Sequence, residues 1–276
     1  SHYKDTMRRK AKLKEKSLHY IGTCISGGEE GAREGASLMV GGDIEAFESS
    51  RSIFRSLSTE VKGEPCFGHV GSDGAGHFVK MVHNGIEYGV MQLIAESYCF
   101  MKQYLGEANL QIAQRFSQWN ETKLRSYLLE ITADIFTQRD DQGDGFLIDV
   151  ISDRAGQKGT GRWTVDAAME LGVPVPGITA AVTERQLSGL SVVRQTARDL
   201  AVASPEMTES TQAEWHDKLE NTLYASVLTM YVQGLSLIQA ASEHYGWQTD
   251  LAQVIRLWRG GCIIRAELLE TLIEVV

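Results

Sequence analysis

The sequence predicts a mainly α protein: a large all-helical domain preceded by the last part of an α/β domain. Three observations predict it. Up to about residue 73, short apolar runs alternate with helical stretches, the pattern of strands joined by helices. Beyond it the apolar period is helical almost throughout. Only four prolines interrupt the 276 residues. The expected division is therefore residues 1–73 and residues 74–276.

Residues 3–16 read as a polar helix carrying Lys4, Arg8, Arg9, Lys10, Lys12, Lys14 and Lys16. No aromatic residue interleaves with these cations to stack on bases, so the expectation is a solvated face and no nucleic acid. The run from His19 to Ile25 reads as a buried strand, followed by a Gly/Glu-rich loop at 26–35. Residues 37–40 form a short strand stopped by Gly41 and Gly42. Residues 43–58 form an amphipathic helix with Ile44, Phe47, Ile53 and Phe54 on its apolar side. Cys66 to Val70 is another strand, and the set is expected to close a parallel sheet. Helical patterns then cover 75–104, 108–137, 146–153, 163–171, 178–202, 211–245 and 249–275. Pro174 and Pro176 mark the loop before the helix at 178.

Hydrophobic content is 43% and net charge −9, so the whole surface does not attract nucleic acid. No run of eighteen apolar residues exists, which excludes a membrane-spanning helix. Cys24, Cys66, Cys99 and Cys262 lie far apart without a C-x-x-C pair, which argues against zinc and disulfides and for a reducing, cytoplasmic setting. Asp140 to Gly145 resembles the start of a calcium loop, but Ile151 stands where a bidentate glutamate is needed. The chain opens on Ser1 with no signal peptide and closes on Val276 inside an apolar helical pattern, so more chain is expected on both sides.

The chemistry concentrates on one helix. Counting Lys80 as position i, His83 is i+3, Asn84 i+4, Glu87 i+7 and Tyr88 i+8, all on one face. The remaining faces carry Phe78, Val79, Met81, Val82, Ile86, Met91, Leu93 and Ile94. An ordinary amphipathic helix points such a stripe at water. This stripe instead mixes five residue types, and Gly85 sits beside it although glycine weakens a helix by about 1 kcal/mol relative to alanine. Gly74 and Gly76 open the helix and are expected to let a ligand approach its first amides. A buried lysine loses its proton readily and becomes a general base. Glu87, two turns on, is placed to deliver a proton to another atom of the same small substrate.

Two anion sites are candidates. Gly156-Gln157-Lys158-Gly159-Thr160-Gly161 offers backbone amides, an ammonium and a hydroxyl, without the spacing of a Walker loop. Ser26-Gly27-Gly28 follows an apolar strand, and its amides suit a carboxylate. Arg185 has the planar fork that grips phosphate, although a lone helix arginine is usually a surface residue.

These words together resemble the 6-phosphogluconate dehydrogenases. Residues 25–33, ISGGEEGAR, are similar to that family's substrate loop. Residues 74–88, GAGHFVKMVHNGIEY, resemble its catalytic helix, and residues 155–164, AGQKGTGRWT, its phosphate loop. Residues 258–265, WRGGCIIR, match a further signature. The resemblance runs nearly end to end. It implies that residues 1–73 are the C-terminal part of a Rossmann-like NADP-binding domain. It also implies a homodimer and NADP-dependent oxidative decarboxylation of 6-phosphogluconate to ribulose 5-phosphate. Lys80 would take the proton of the C3 hydroxyl, and Glu87 would protonate C1 of the enediol. Ser26, Gly27 and Gly28 would contact the carboxylate end, and His83 and Asn84 the sugar hydroxyls. Tyr88, Lys158 and Arg185, with Thr160, would hold the phosphate.

The departures are specific. The family's G-x-G-x-x-G fingerprint is absent, as are the C-terminal arginine and histidine that a partner subunit lends to the phosphate site. Val40 replaces a usual proline, Arg162 a usual lysine and Val90 a usual aspartate; Val90, one turn beyond Glu87, bears on the local network. Two alternatives stay open. One is a related β-hydroxyacid dehydrogenase acting on an unphosphorylated acid, against which Lys158 and Arg185 speak. The other is an inactive helical piece that serves as a dimerisation scaffold.

Overall fold

A computed structural model describes residues 1–199 and 209–276. The expected helical stretch at 200–202 lies outside the described residues. The chain begins with α1 (Tyr3–Lys14), β1 (Ile21–Ser26), α2 (Gly28–Glu34), β2 (Ser37–Gly42) and α3 (Ile44–Leu57). A two-stranded hairpin, β3 (Glu60–Val61) and β4 (Glu64–Pro65), leads into β5 (Phe67–Gly71).

The three longer strands form one sheet in the order β1-β2-β5, and it is mixed. β2 and β5 are parallel, as expected, but β1 and β2 are antiparallel. The connections explain the difference. The seven-residue α2, in place of the expected loop, merely turns the chain back on itself. The fourteen-residue α3 is long enough for the crossover that parallel pairing needs. β1 is also an edge strand rather than a buried one, with Ile25 62% exposed. β2 runs on through Gly41 and Gly42 instead of stopping before them.

α3 meets the sheet through a narrow stripe. Phe47 and Phe54 stack at 5.7 Å and press on Phe67, while Ile44 and Ile53, expected on the apolar side, are exposed. α1 is more than a solvated helix. Tyr3 is buried edge-on against Phe78, 5.0 Å between ring centroids. Lys10 bridges Asp43 at 3.1 Å and Asp73 at 2.8 Å, which pins the helix across the ends of the sheet.

The helical body follows: α4 (Ala75–Gln103), α5 (Asn109–Trp119), α6 (Tyr127–Thr137), α7 (Leu147–Val150), α8 (Thr160–Leu171), α9 (Pro176–Ser188), α10 (Ser191–Asp199), α11 (Glu209–Tyr245), α12 (Leu251–Leu257) and α13 (Leu268–Val275). Three expected helices are each two. Ser126 caps α6 by accepting from Leu129 N, which breaks 108–137. Pro176 starts α9 at its first turn and Gly189 ends it. Gly260 and Gly261 separate α12 from α13, Gly261 with φ 62°. No described helix is long and apolar enough to cross a membrane.

α4, 29 residues long, is the axis of the body. Phe78, Val79, Val82 and Ile86 are fully buried in one core with Tyr231, Leu237 and Ile238 of α11, and with Trp247 and Trp258. Its N-terminus rests directly on the sheet. A Cβ on Gly76 would lie 2.6 Å from Gly22 O, 2.6 Å from Gly41 N and 2.7 Å from Met39 O; one on Gly74 would lie 2.8 Å from Tyr3 O. These glycines therefore serve contact between helix, sheet and α1, not the ligand access expected of them. The segment between α12 and α13 returns to the same sheet, where Ser37 N donates to Gly261 O at 2.9 Å and Ser37 Oγ to Leu257 O at 2.7 Å.

Gly76→Ala is expected to destabilise the fold by about 3 kcal/mol, the upper part of the range for overpacking against backbone that cannot yield. Urea unfolding followed by circular dichroism measures it. An unchanged midpoint would show that the sheet and α4 move apart freely.

Candidate active site

The stripe on α4 is not in water. His83 is fully buried, Tyr88 is 6% exposed and the Glu87 side chain 12%. Lys80 and Asn84 are half-buried. The end of β1 covers the stripe: Lys80 Nζ donates to Ser26 Oγ at 2.8 Å, and the same oxygen lies 3.3 Å from His83 Nε2. Lys80 Nζ is also 3.2 Å from His83 Nδ1, which faces Glu87 Oε2 at 3.7 Å. A neutral imidazole satisfies these contacts with its proton on Nε2, donating to Ser26 Oγ and accepting from the ammonium at Nδ1.

The backbone aims Ser26 at this point. Gly27, next in the chain, has φ 119°, and a side chain there would collide with Gly261 O at 2.6 Å. Only glycine fits a turn with that dihedral and that neighbour. Gly27 and Gly28, with Glu87, line an open cleft of about 620 Å³. Its far wall is Met91, Tyr127, Ile131 and Ile263.

Burial dominates the electrostatics. It pushes Lys80 below its ordinary pKa, against the attraction of Glu87. Burial also pushes Glu87 above its ordinary value, against Lys80 and Arg185. His83 is driven far down, first by burial and then by the Lys80 charge, so it stays neutral. A base that is easier to deprotonate thus stands two turns from an acid that is easier to protonate. Asn84 Oδ1 is buried without a partner in good hydrogen-bond geometry, and its nearness to His83 opposes the lowering of that ring's pKa.

A second group gathers at Tyr88. The Arg185 guanidinium stacks on the Tyr88 ring, 3.6 Å from its centroid, and donates to Gly156 O at 2.7 Å. Gly161, in the first turn of α8, packs on the other part of that ring. Lys158 is exposed on the loop between them and makes no ion pair among the described residues. Thr160 opens α8 just behind the loop. The structure thus joins Ser26, Lys80, His83 and Glu87 in one cluster and Tyr88, Arg185 and the 156–161 loop in a second.

Val90 touches neither cluster. It faces Val227, Tyr231 and Ile264 across a small apolar cavity, so its side chain does not enter the Glu87 network. Trp258 was not distinguishable by spacing within WRGGCIIR. It is fully buried and meets His83 edge-on, ring centroids 5.7 Å apart, closing the stripe on the side away from the cleft. Arg265 of the same motif pairs with Glu30 at 3.0 Å and stacks on Tyr127, holding α2 to the helical body.

The lowered Lys80 pKa has a thermodynamic sign. A group depressed in the folded state contributes stability above its ordinary pKa of 10.5, and that contribution is lost as pH falls through the folded value. At pH 7 the buried charge is therefore a liability. Lys80→Met is expected to raise the melting temperature at pH 7 by an increment that fades toward pH 10.5. The matching gain in unfolding free energy is about 1.4 kcal/mol for each pH unit between the folded and the ordinary pKa. Calorimetric scans at several pH values measure it. A stability loss at pH 7 would mean that the bonds to Ser26 and His83 outweigh desolvation.

Comparison with known proteins identifies the family. Residues 76–276 match the family model of the 6-phosphogluconate dehydrogenase C-terminal domain, and residues 1–71 match that of the NAD binding domain of 6-phosphogluconate dehydrogenase. The chain is 48% identical over 99% of its length to an NADP(+)-dependent, decarboxylating 6-phosphogluconate dehydrogenase of Bacillus subtilis, covering 59% of that protein. It is 44% identical to the decarboxylating enzyme of Escherichia coli, covering 58% of it. A Plasmodium falciparum 6-phosphogluconate dehydrogenase, whose structural study includes complexes with NADP+ and with 6-phosphogluconate, superposes with a TM-score of 0.96 at 40% identity. That superposition covers 99% of this chain and 59% of the other. The chain thus spans about three fifths of the length of the relatives it matches, and it belongs to the 6-phosphogluconate dehydrogenase family.

Proposed function

We propose that the chain carries the acid–base and substrate-binding half of an NADP-dependent oxidative decarboxylase that converts 6-phosphogluconate to ribulose 5-phosphate and CO2. The observation that carries this is the desolvated Lys80 two turns from Glu87 on one buried helix, with opposite pKa shifts of a common cause. Lys80, in the deprotonated form that its lowered pKa makes more accessible, accepts the proton of the C3 hydroxyl while hydride leaves C3. The 3-keto acid so formed loses its carboxylate as CO2. Glu87 then gives its proton to C1 of the enediol. Ser26 orients the lysine, and Gly27 and Gly28 offer the carboxylate end backbone amides. His83 and Asn84 hold hydroxyls. Tyr88, Lys158, Thr160 and Arg185 form the phosphate end.

NADP, when bound, accepts the hydride. The residues present do not form a dinucleotide site, since no G-x-G-x-x-G run occurs in the 276 residues. They fit the sugar acid and its reacting carbons.

The same proposal divides the chain into residues 1–73, the later part of a Rossmann-like domain, and residues 74–276, the helical domain. It also makes the protein a cytoplasmic homodimer. Exposed apolar side chains on α10 and around α7, among them Val192, Val193, Val150 and Ile151, support an apolar partner surface.

Calorimetric titration of the chain with 6-phosphogluconate tests the site. Saturable binding is expected, and Lys158→Ala with Arg185→Ala is expected to weaken it at least tenfold, since each charge-assisted bond contributes about 1.5–3 kcal/mol. Absence of binding by a folded chain would instead leave a dimerisation scaffold. Where turnover is measurable, Glu87→Gln is expected to stop release of protonated product while sparing affinity, read by single-turnover analysis.

A further inference from the structure

At two points on the crossing of α8 and α4 a glycine of one helix receives a side chain of the other. A Cβ on Gly85 would sit 2.8 Å from Thr164 Cγ2, and one on Gly161 would sit 2.7 Å from the Tyr88 ring. Thr164 is fully buried. Its hydroxyl donates to Met81 O on α4 at 2.8 Å and lies 3.0 Å from Thr160 O on its own helix. Other helical threonines, such as Thr132, Thr179 and Thr183, bond only the carbonyl one turn back. Thr164 makes that contact and a shorter one across the helix crossing.

The two carbonyls it joins are informative. Met81 follows Lys80 directly, and Thr160 begins α8 directly behind the 156–159 loop that carries Lys158. One hydroxyl thus ties the backbone of the lysine helix to the backbone that aims the phosphate loop. We propose that Thr164 is a positioning residue that sets the span between the acid–base pair on α4 and the phosphate cations, and so selects sugar acids by chain length. This rests on the function proposed above. A substrate with a carboxylate at one end and a phosphate at the other is a strut of fixed carbon number. When both ends are anchored, a shift of about 1 Å in one anchor is enough to spoil the fit of the other, a displacement that costs up to a hundredfold in reactive alignment.

The test is calorimetric titration of the chain and its variants with three probes: 6-phosphogluconate, the five-carbon 5-phosphoribonate, and gluconate without phosphate. Thr164→Val keeps the shape and removes the hydroxyl. It is expected to weaken 6-phosphogluconate about five- to tenfold, the worth of one buried hydrogen bond. Gluconate affinity is expected to stay within about twofold, and the preference for six carbons over five to shrink. Thr164→Ser retains the hydroxyl and is expected to restore both ratios. If valine prevents folding beside Gly85, judged by circular dichroism, Thr164→Ala removes the same hydroxyl with less bulk and carries the same expectation. Unchanged probe ratios in a folded hydroxyl-less variant would overturn the proposal, even if all affinities fell together, because that is how a purely structural residue behaves. A wild-type chain that does not distinguish 6-phosphogluconate from gluconate would overturn the phosphate reading itself, and the positioning role with it.

Discussion

The structure turns on the burial of a charged side chain. Lys80 lies on a helix surrounded by sheet, α8, α9 and α11, and its nitrogen has traded water for Ser26 Oγ and His83 Nδ1. Removing an ammonium from water is unfavourable, so the surrounding contacts must hold it there. The sheet supplies the lid through the end of β1, and Trp258 closes the opposite side through His83. Displacing either would let water reach the lysine and return its pKa toward the ordinary value.

Such a site needs its walls fixed to one another, and the walls come from distant parts of the chain. Gly27 is near the start and Gly261 near the end, yet their backbones approach so closely that no Cβ fits on Gly27. Ser37 bonds both Leu257 O and Gly261 O, so the sheet and the last helices move as one piece. Arg265 does the same for α2 through Glu30. Glycines occur at the close approaches: Gly76 against the backbone of the sheet, Gly27 against that of Gly261, and Gly85 against the Thr164 side chain of α8. A methyl group at any of them would meet atoms at 2.6 to 2.8 Å.

How much of this was legible in the sequence follows from where each feature's cause lies. The polar stripe was legible because five residue types at helical spacing are a local pattern, and because Gly85 beside them contradicts helix propensity. The roles of Gly74 and Gly76 were not, since local sequence cannot say whether a ligand or a strand occupies the space a glycine leaves. The pairing direction of β1 was hidden for a related reason: a short connection and a crossover look alike until the partner strand is known. Trp258 and Thr164 lie far in sequence from the atoms they touch, so neither spacing nor composition marks them. Arg185 stood out only beside the family's words, and its stacking on Tyr88 belongs to the packing of α9 on α4.

Placing the proposed base and acid on one helix also solves a problem of precision. Seven residues at about 1.5 Å per residue separate their Cα atoms by about 10 Å, and both side chains are long enough to lean toward a common point. Loop-borne groups would wander by more than proton transfer tolerates. One rigid helix holds both to the same frame, and burial shifts their pKa values in opposite directions without a second device. The same desolvation lowers the pKa of Lys80 and raises that of Glu87, so under the proposed function one physical cause prepares both groups. The stability given up by burying two ionisable groups is the counterpart of that preparation.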